Sequence, residues 1–480
     1  MMNKRTKIVC TLGPASHDKE QIAKMVDAGM NVARLNFSHG SHEDHLLLMN
    51  TVRAVSKEKQ QPIAILQDLQ GPKIRLGILP ETGIAITKGQ QVVFDTALSE
   101  YHDERIPIDY HELHQFLQIN DRILISDGTI ETRIISIDGT IITTEVVVGG
   151  DLFSHKGLNV PDSKLHIRSL TEKDKQDAAF GVAQGVDFMA LSFVTSPEDI
   201  LDLRFIIKEE EKKIGNTVEQ SVKIIAKIER AEAIERIDAI LDVVDGIMIA
   251  RGDLGIEIPA EQVPVIQKKL IDKAREKARP VIVATQMLDS MQKNPRPTRA
   301  EVSDVAHAVM DHTDAVMLSN ETATGAYPVE SVQTMSNIII ETENSVYDDL
   351  ALPIMNSGKD SVDDVLSGLS RILAEDVGAR VILAASLSGE TAKRISRYRP
   401  ELPITVATNN ERTERQLSLS WGVYPFMLPA CHSIEELVER SLVTLKERRI
   451  IDVGERVIVV AGEPVGQAGQ LNFLEVRQVS

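Results

Sequence analysis

Over the first two thirds of the chain, short apolar runs rich in β-branched residues alternate with longer stretches whose apolar positions recur every three or four residues. The runs occupy residues 7–12, 32–37, 63–68, 186–193, 222–228, 246–250, 281–285 and 315–318. Each is too short for a helix and nearly continuous in its apolar content, the mark of a strand buried on both faces of a parallel sheet. Helical patterns fill the gaps, at 18–28 (with Ser16 as cap and Gly29 as stop), 42–59, 197–213 and 260–278. Eight parallel strands, each followed by a helix, is the arithmetic of a closed (β/α)₈ barrel. An open doubly wound sheet also alternates, but its length is less strictly fixed.

Two regions break this rhythm. Between Pro72 and Val160 the runs shorten to 106–108, 122–125, 132–137 and 140–148, punctuated by Asp127-Gly128, Asp138-Gly139 and Gly149-Gly150. This predicts an all-β insertion after the third barrel strand, hinged at Gly71-Pro72 and Asn159-Val160-Pro161, which would overhang the C-terminal mouth as a lid. Near Asp348 the βα tempo restarts, with helices at 362–377, 391–398 and 435–447 and strands at 380–385, 404–408, 456–461 and 471–476. The expected organisation is a barrel of residues 1–70 and 161–345, a β-rich lid of 71–160, and a C-terminal open α/β domain of 346–480.

Composition narrows the function. The 480 residues are 42% apolar and 26% charged, as in a soluble globular protein. A net charge of −18 argues against a general nucleic-acid or membrane-surface binder, so any anion site must gather its positive charge locally. Two cysteines, Cys10 and Cys431, give no disulfide framework. The start, MMNKRTKIVC, lacks the apolar core of a signal peptide and no later run is long enough to span a membrane, so the cytoplasm is the expected location.

In such a barrel, chemistry belongs at the C-terminal ends of the strands. The second strand ends in "ARLNFSHG", where Arg34, Asn36 and Ser38 alternate onto one face. The third delivers Asp68, the fifth Lys227 and Glu229, the sixth Gly252 and Asp253, the seventh Thr285, and the eighth Ser319 and Glu321. Singly these read as rim ion pairs, caps or turns; His39, His42 and His45 read as a solvated helix start rather than a zinc site. Six strand ends offering polar groups to one rim is more than a structural barrel requires. Glu229 and Asp253 are oxygen ligands suited to Mg²⁺ or Mn²⁺. Arg34 can fork onto a phosphate or carboxylate, and Lys227 can balance an enolate or a moving phosphoryl group. Together they point to an oxyanion substrate, most simply a phosphorylated one.

The motifs "RLNFSHG", "QGPKIR", "KIER", "ARGDLG", "ATQMLDSM", "PTRAEVSDVAHAV" and "LSNETATGAYPVESV" resemble, in order and spacing, those of the pyruvate kinase family. The resemblance runs through the whole chain. It implies phosphoryl transfer from phosphoenolpyruvate to ADP, giving pyruvate and ATP, in a homotetramer. It implies that Lys227 stabilises charge on the phosphoryl group and enolate, and that Glu229 and Asp253 hold the divalent ion. Backbone at Arg251, Gly252 and Asp253, with Thr285, would receive the substrate carboxylate, and Thr285 would lie near the face where the enolate takes its proton. Arg34 would hold the phosphoryl group, and Asn36, His39, Arg75 and Lys156 would meet the nucleotide.

Much of that family binds K⁺ among residues matching Asn36, Ser38, Asp68 and Leu69, with Thr at the last position and Glu where this chain has Lys73. Leu69 and Lys73 follow the K⁺-independent pattern, in which an ammonium group replaces the monovalent ion. The loop "SLSGETA" resembles the family's effector pocket, with Ser386, Ser388, Gly389 and Thr391 as phosphate contacts. Glu390 adds charge there, and "AGEPVGQAGQ" lacks the Trp and Arg of bisphosphate-activated relatives. A sugar monophosphate, AMP, a bisphosphate or no effector all remain open. So do two rivals: a Mg²⁺-dependent lyase or aldolase acting on a pyruvate-like enolate, and a non-catalytic sensor. ADP-dependent pyruvate formation separates them.

Overall fold

The computed structural model describes residues 4–163, 169–216, 221–351, 361–463 and 471–480. Eight parallel strands close into a barrel: Lys7–Thr11, Val32–Asn36, Ala64–Asp68, Phe188–Leu191, Lys223–Ile228, Gly246–Ala250, Val281–Ala284 and Ala315–Leu318. Closure comes from the first strand pairing with the eighth, Lys7 opposite Ala315. The continuous apolar runs follow from this geometry. Alternate residues such as Val9, Val32, Leu66, Ala190, Ile225, Met248 and Ile282 fill the barrel interior. Their neighbours, among them Ile8, Ala33, Ile65, Ile224 and Ile247, pack against the surrounding helices.

The helices start and stop for local reasons. Ser41, Thr171 and Thr298 each form reciprocal capping boxes at the helices His42–Lys59, Glu172–Ala183 and Arg299–Met310. Ser16 is not the cap of the helix Lys19–Ala28: Asp18 holds that position, and the Ser16 hydroxyl accepts from the Gly13 N–H at 3.1 Å. The stretch 260–278 is likewise not one helix. It opens as a 3₁₀ turn, Ala260–Gln262, before the α-helix Val263–Glu276.

The insertion leaves the barrel after Asp68. It holds a two-stranded sheet, Ile84–Ile86 with Gly150–Leu152, and a six-stranded sheet. The latter runs Leu158–Asn159, Arg122–Ile125, Ile130–Asp138, Ile141–Val148, Gln91–Asp95 and Arg105–Pro107. Its core, including Phe94, Ile123, Ile142 and Leu152, is separate from the barrel's. The insertion rests on the short helix Arg251–Glu257: Asn159 Nδ2 lies 3.4 Å from Glu257 Oε1, and a Cβ on Gly128 would sit 3.8 Å from Ile256.

The C-terminal part is a five-stranded sheet in the order Val423–Met427, Ile404–Thr408, Val381–Ala385, Arg456–Ala461 and Phe473–Gln478, the last antiparallel. Val423–Met427 carries Pro425, which disguises it in the sequence; as an edge strand it tolerates the missing N–H. This part seals the barrel's N-terminal base. Arg399 donates to His312 O and Asp314, and Lys7 Nζ donates to Val423 O at 2.7 Å.

Candidate active site

At the C-terminal mouth the second, third and fifth strands bring four ionisable side chains together. Arg34 Nε and Nη2 both lie 2.7 Å from Asp68 Oδ2, and its Nη1 donates to Thr11 Oγ1 at 2.8 Å. Lys227 Nζ lies 2.9 Å from Glu229 Oε1, 2.8 Å from Ser192 Oγ and 3.4 Å from Asp68 Oδ1. Lys227 and Glu229 meet because alternate residues of a strand share a face. Glu229 Oε2 accepts the Phe193 N–H at 2.8 Å.

Burial sets the electrostatics and the partners decide its sign. Asp68 and Glu229 are each 1% exposed. Burial alone would push the Asp68 carboxyl up, but Lys227 and Arg34 outweigh it and hold it below its ordinary range. For Lys227 burial opposes the charge, yet Asp68 and Glu229 prevail and raise it, so the ammonium stays protonated. Glu229 goes the other way: burial pushes it up, Lys227 only partly restrains it, and the charge of Asp253 pushes it further.

Asp253 stands in the first turn of the helix Arg251–Glu257, directly after the sixth strand. Its Oδ1 lies 3.4 Å from Lys73 Nζ, and Lys73 also approaches Asp127 of the insertion at 3.9 Å. Among the described residues no hydrogen bond or ion pair joins Lys73 to Asn36, Ser38, Asp68 or Leu69. Leu69 is buried and its carbonyl accepts the Ser192 hydroxyl at 2.7 Å; Asn36 Oδ1 accepts the Ser38 N–H at 3.2 Å.

Thr285 has φ 71° and Gln286 φ 54°. Left-handed backbone is costly for a β-branched residue and marks a strained position. The strain turns Thr285 Oγ1 to accept the Gly252 N–H at 2.8 Å while donating to Ala284 O at 2.6 Å. The Arg251 side chain is committed elsewhere, forking onto Asp304 at 2.6 and 2.7 Å and donating to Thr285 O at 2.9 Å. What this segment offers an anion is therefore backbone, not the guanidinium. Glu321 is also committed, accepting the Ser319 and Leu288 N–H groups at 2.7 and 3.1 Å.

Arg75 lies at the hinge of the insertion, where its Nη1 donates to His155 O at 3.0 Å, beside the exposed Lys156. His39 is exposed on the loop after the second strand. Its carbonyl accepts from His45, which stacks on Phe37, while His42 pairs with Asp177 at 2.7 Å. Among the described residues no cluster of three or more His, Cys, Asp or Glu could hold a metal by itself, and the three histidines do not converge. Two groups that the sequence does not flag complete the mouth: Thr11 and Ser192, from the ends of the first strand and just beyond the fourth. The strand-end rule applied to those two strands would have found them.

In the C-terminal part the loop 386–391 lines a cavity of about 200 Å³ with Asp363, Arg394, Asn409 and Cys431. The Ser386 and Ser388 hydroxyls accept the Gly389 and Glu390 N–H groups at 2.9 and 3.5 Å, and Gly389 takes φ 84° as the turn requires. Thr391 stands in the first turn of the helix Glu390–Ser396. Burial would raise the Glu390 carboxyl, but Lys393 pairs with it and holds it low. Its charge is thus answered within the loop. Residues 464–470, most of the closing segment, lie outside the described residues.

The chain matches the family models "Pyruvate kinase, barrel domain" over residues 3–332 and "Pyruvate kinase, alpha/beta domain" over residues 365–477. It is 40% identical over 479 residues to a pyruvate kinase of Sporosarcina psychrophila, covering 99% of this chain and 80% of the relative. It is 41% identical over 482 residues to that of Geobacillus stearothermophilus, covering 100% of this chain and 81% of the relative. A crystal structure of a pyruvate kinase from Cryptosporidium parvum superposes with a TM-score of 0.91 at 35% identity, covering 100% of this chain and 97% of that one.

Proposed function

The chain belongs to the pyruvate kinase family, and on that premise we propose that it carries the phosphoryl group of phosphoenolpyruvate to ADP with a divalent cation on Glu229 and Asp253 and with Lys73 in place of bound K⁺. One observation carries the reading. Three cations (Arg34, Lys73, Lys227) face three carboxylates (Asp68, Glu229, Asp253) around one mouth. Such a balanced set accepts a multiply charged anion only together with a compensating cation. The raised Glu229 carboxyl, pressed by Asp253, is relieved by the same ion. Two hard oxygen donors just beyond neighbouring strands would leave the other positions of Mg²⁺ or Mn²⁺ for water and substrate. When bound, the ion supplies a dication that draws the substrate oxygens together and offsets their charge.

The protein's own part is positioning and charge balance. Arg34, stiffened by Asp68 and Thr11, presents its remaining N–H groups to the phosphoryl oxygens. Lys227 faces the bridging enol oxygen. As that P–O bond breaks and a new one forms to the terminal oxygen of ADP, the ammonium compensates the charge left on the enolate. Thr285 and the backbone of Gly252 and Asp253 seat the carboxylate, which takes over the Gly252 N–H from Thr285 Oγ1, and a proton delivered to the carbon on the Thr285 side completes pyruvate. Asn36, His39, Arg75 and Lys156 guide the nucleotide beneath the lid. A phosphorylated effector in the cavity at Ser386, Ser388, Gly389 and Thr391 belongs to the same reading.

A coupled assay of ADP-dependent pyruvate formation, run with Mg²⁺ in tetramethylammonium buffer, tests this function. Turnover is expected to be the same with and without added K⁺, because Lys73 already brings a fixed positive charge to the rim. Strong stimulation by K⁺ would remove Lys73 from that role, and no ADP-dependent pyruvate at all would overturn the whole reading.

A further inference from the structure

Just beyond the fourth barrel strand, Ser192 and Phe193 each hold one of the two charged residues of the fifth. The Ser192 hydroxyl has a single proton, and it is given to Leu69 O at 2.7 Å. Toward Lys227 Nζ, 2.8 Å away, the same oxygen can only accept. The Phe193 N–H reaches Glu229 at 2.8 Å because Phe193 adopts φ 55°, an unusual conformation for a bulky residue. Ser169 Oγ braces the turn by donating to Phe193 O at 3.0 Å. Gly71 passes so close that a Cβ there would meet Ser192 Cβ at 2.9 Å and Phe193 Cδ2 at 3.0 Å.

Of the three ammonium protons one is given to Ser192 at 2.8 Å and the group pairs with Glu229 at 2.9 Å, while Asp68 Oδ1, 3.4 Å away, is a charge neighbour that receives no hydrogen bond. Two contacts are short and one is long. We propose that Ser192 is a positioning residue for Lys227. It pins the ammonium between the third and fifth strands, so that the proton left toward Asp68 is the one offered to an incoming anionic oxygen. Without that neutral acceptor Lys227 collapses onto its carboxylates, where it balances charge but does not reach substrate. The inference rests on the proposed role of Lys227 and goes beyond it, since Ser192 touches no reacting atom.

Three variants of the full chain test it: Ser192→Ala, Ser192→Cys, which keeps the side-chain volume but replaces the hydroxyl with a weak acceptor, and Lys227→Met. Both Ser192 variants should lose roughly 10- to 100-fold in kcat, the cost of a misplaced catalytic group. Their KM for phosphoenolpyruvate should stay within about threefold, because binding by Arg34 and the metal ligands is retained. Melting temperatures should stay within about 2 °C of the parent. A Ser192→Cys enzyme with parental kcat overturns the proposal, whatever Ser192→Ala does. So does a kcat loss that appears only alongside a raised KM and a lowered melting temperature, which marks packing alone. Parental turnover in Lys227→Met overturns instead the reading of Lys227 on which the inference stands.

Discussion

Two lysines stand at opposite ends of the same barrel, Lys7 buried and Lys227 nearly so, and their environments push them in opposite directions. Lys227 at the mouth has Asp68 and Glu229 beside it and is raised despite burial. Lys7 at the base has one carbonyl, Val423 O at 2.7 Å, and the face of Tyr424 at 4.5 Å. There burial prevails, reinforced by Lys4, and Glu343 and Asp314 only partly offset it, so Lys7 is lowered to about 7. Lys4 is itself lowered to about 8 by the same burial. Desolvation is common to both ends; what differs is how closely the acids approach, Glu229 standing 2.9 Å from Lys227 Nζ while among the described residues no carboxylate forms an ion pair with Lys7. The mouth is built to hold charge, and the base is built to join two bodies of the fold.

The largest break in this contrast is Lys227→Met. It removes the charge proposed to compensate the enolate, and turnover should fall by at least about 100-fold, the scale of losing one preorganised electrostatic group. A coupled assay measures it, and a melting curve shows whether the fold survives. Next comes Asp68→Asn, which leaves Arg34 and Lys227 facing each other with a carboxylate fewer. Removing one partner of a buried pair costs roughly 3–5 kcal/mol, so the ligand-free protein should melt earlier as well as turn over more slowly. An unchanged melting temperature would mean that Asp68 does not hold the two cations together.

The smallest effect is at the base, and pH sharpens it. The unfolded chain protonates Lys7 near pH 10.5 and the folded one near 7. Between those values the unfolded state binds the extra proton, so stability contributed by this site rises with pH. Below pH 7 the full cost of charging Lys7 is present. Lys7→Met removes that cost, so the variant should be more heat-stable than the parent at pH 6, and the advantage should shrink toward pH 10. Paired melting curves across that range measure it; a constant difference would show that Lys7 does not titrate in the fold.

Most of the barrel was legible because a strand buried on both faces must be apolar throughout, and eight such runs have few ways to close. The insertion was legible only as a class. Ile84–Ile86 and Gln91–Asp95 are short and partly exposed, so their pattern is weak, and Val423–Met427 hid behind Pro425. At the mouth the charged residues announced themselves, because ionised groups at strand ends need an explanation. Ser192 and Thr11 did not, since a serine or threonine after a strand is unremarkable until its partner is known. Lys73 shows the remaining gap. Its charge was readable, but that it answers Asp253 across the hinge depends on how the insertion settles, which no local pattern encodes.

The pairing of the first strand with the eighth carries a consequence for synthesis. Lys7 cannot find Ala315 until Leu318 has left the ribosome, which at typical elongation rates is roughly 15–60 s after Lys7 itself was made. The insertion, whose strands all lie between Ile84 and Asn159, is complete long before then. A finished β domain therefore waits beside three of the eight barrel strands, which carry Arg34 and Asp68 while Lys227 has yet to be translated. Until then the first strand keeps a bare sheet edge, and the last barrel strand, not the lid, covers it.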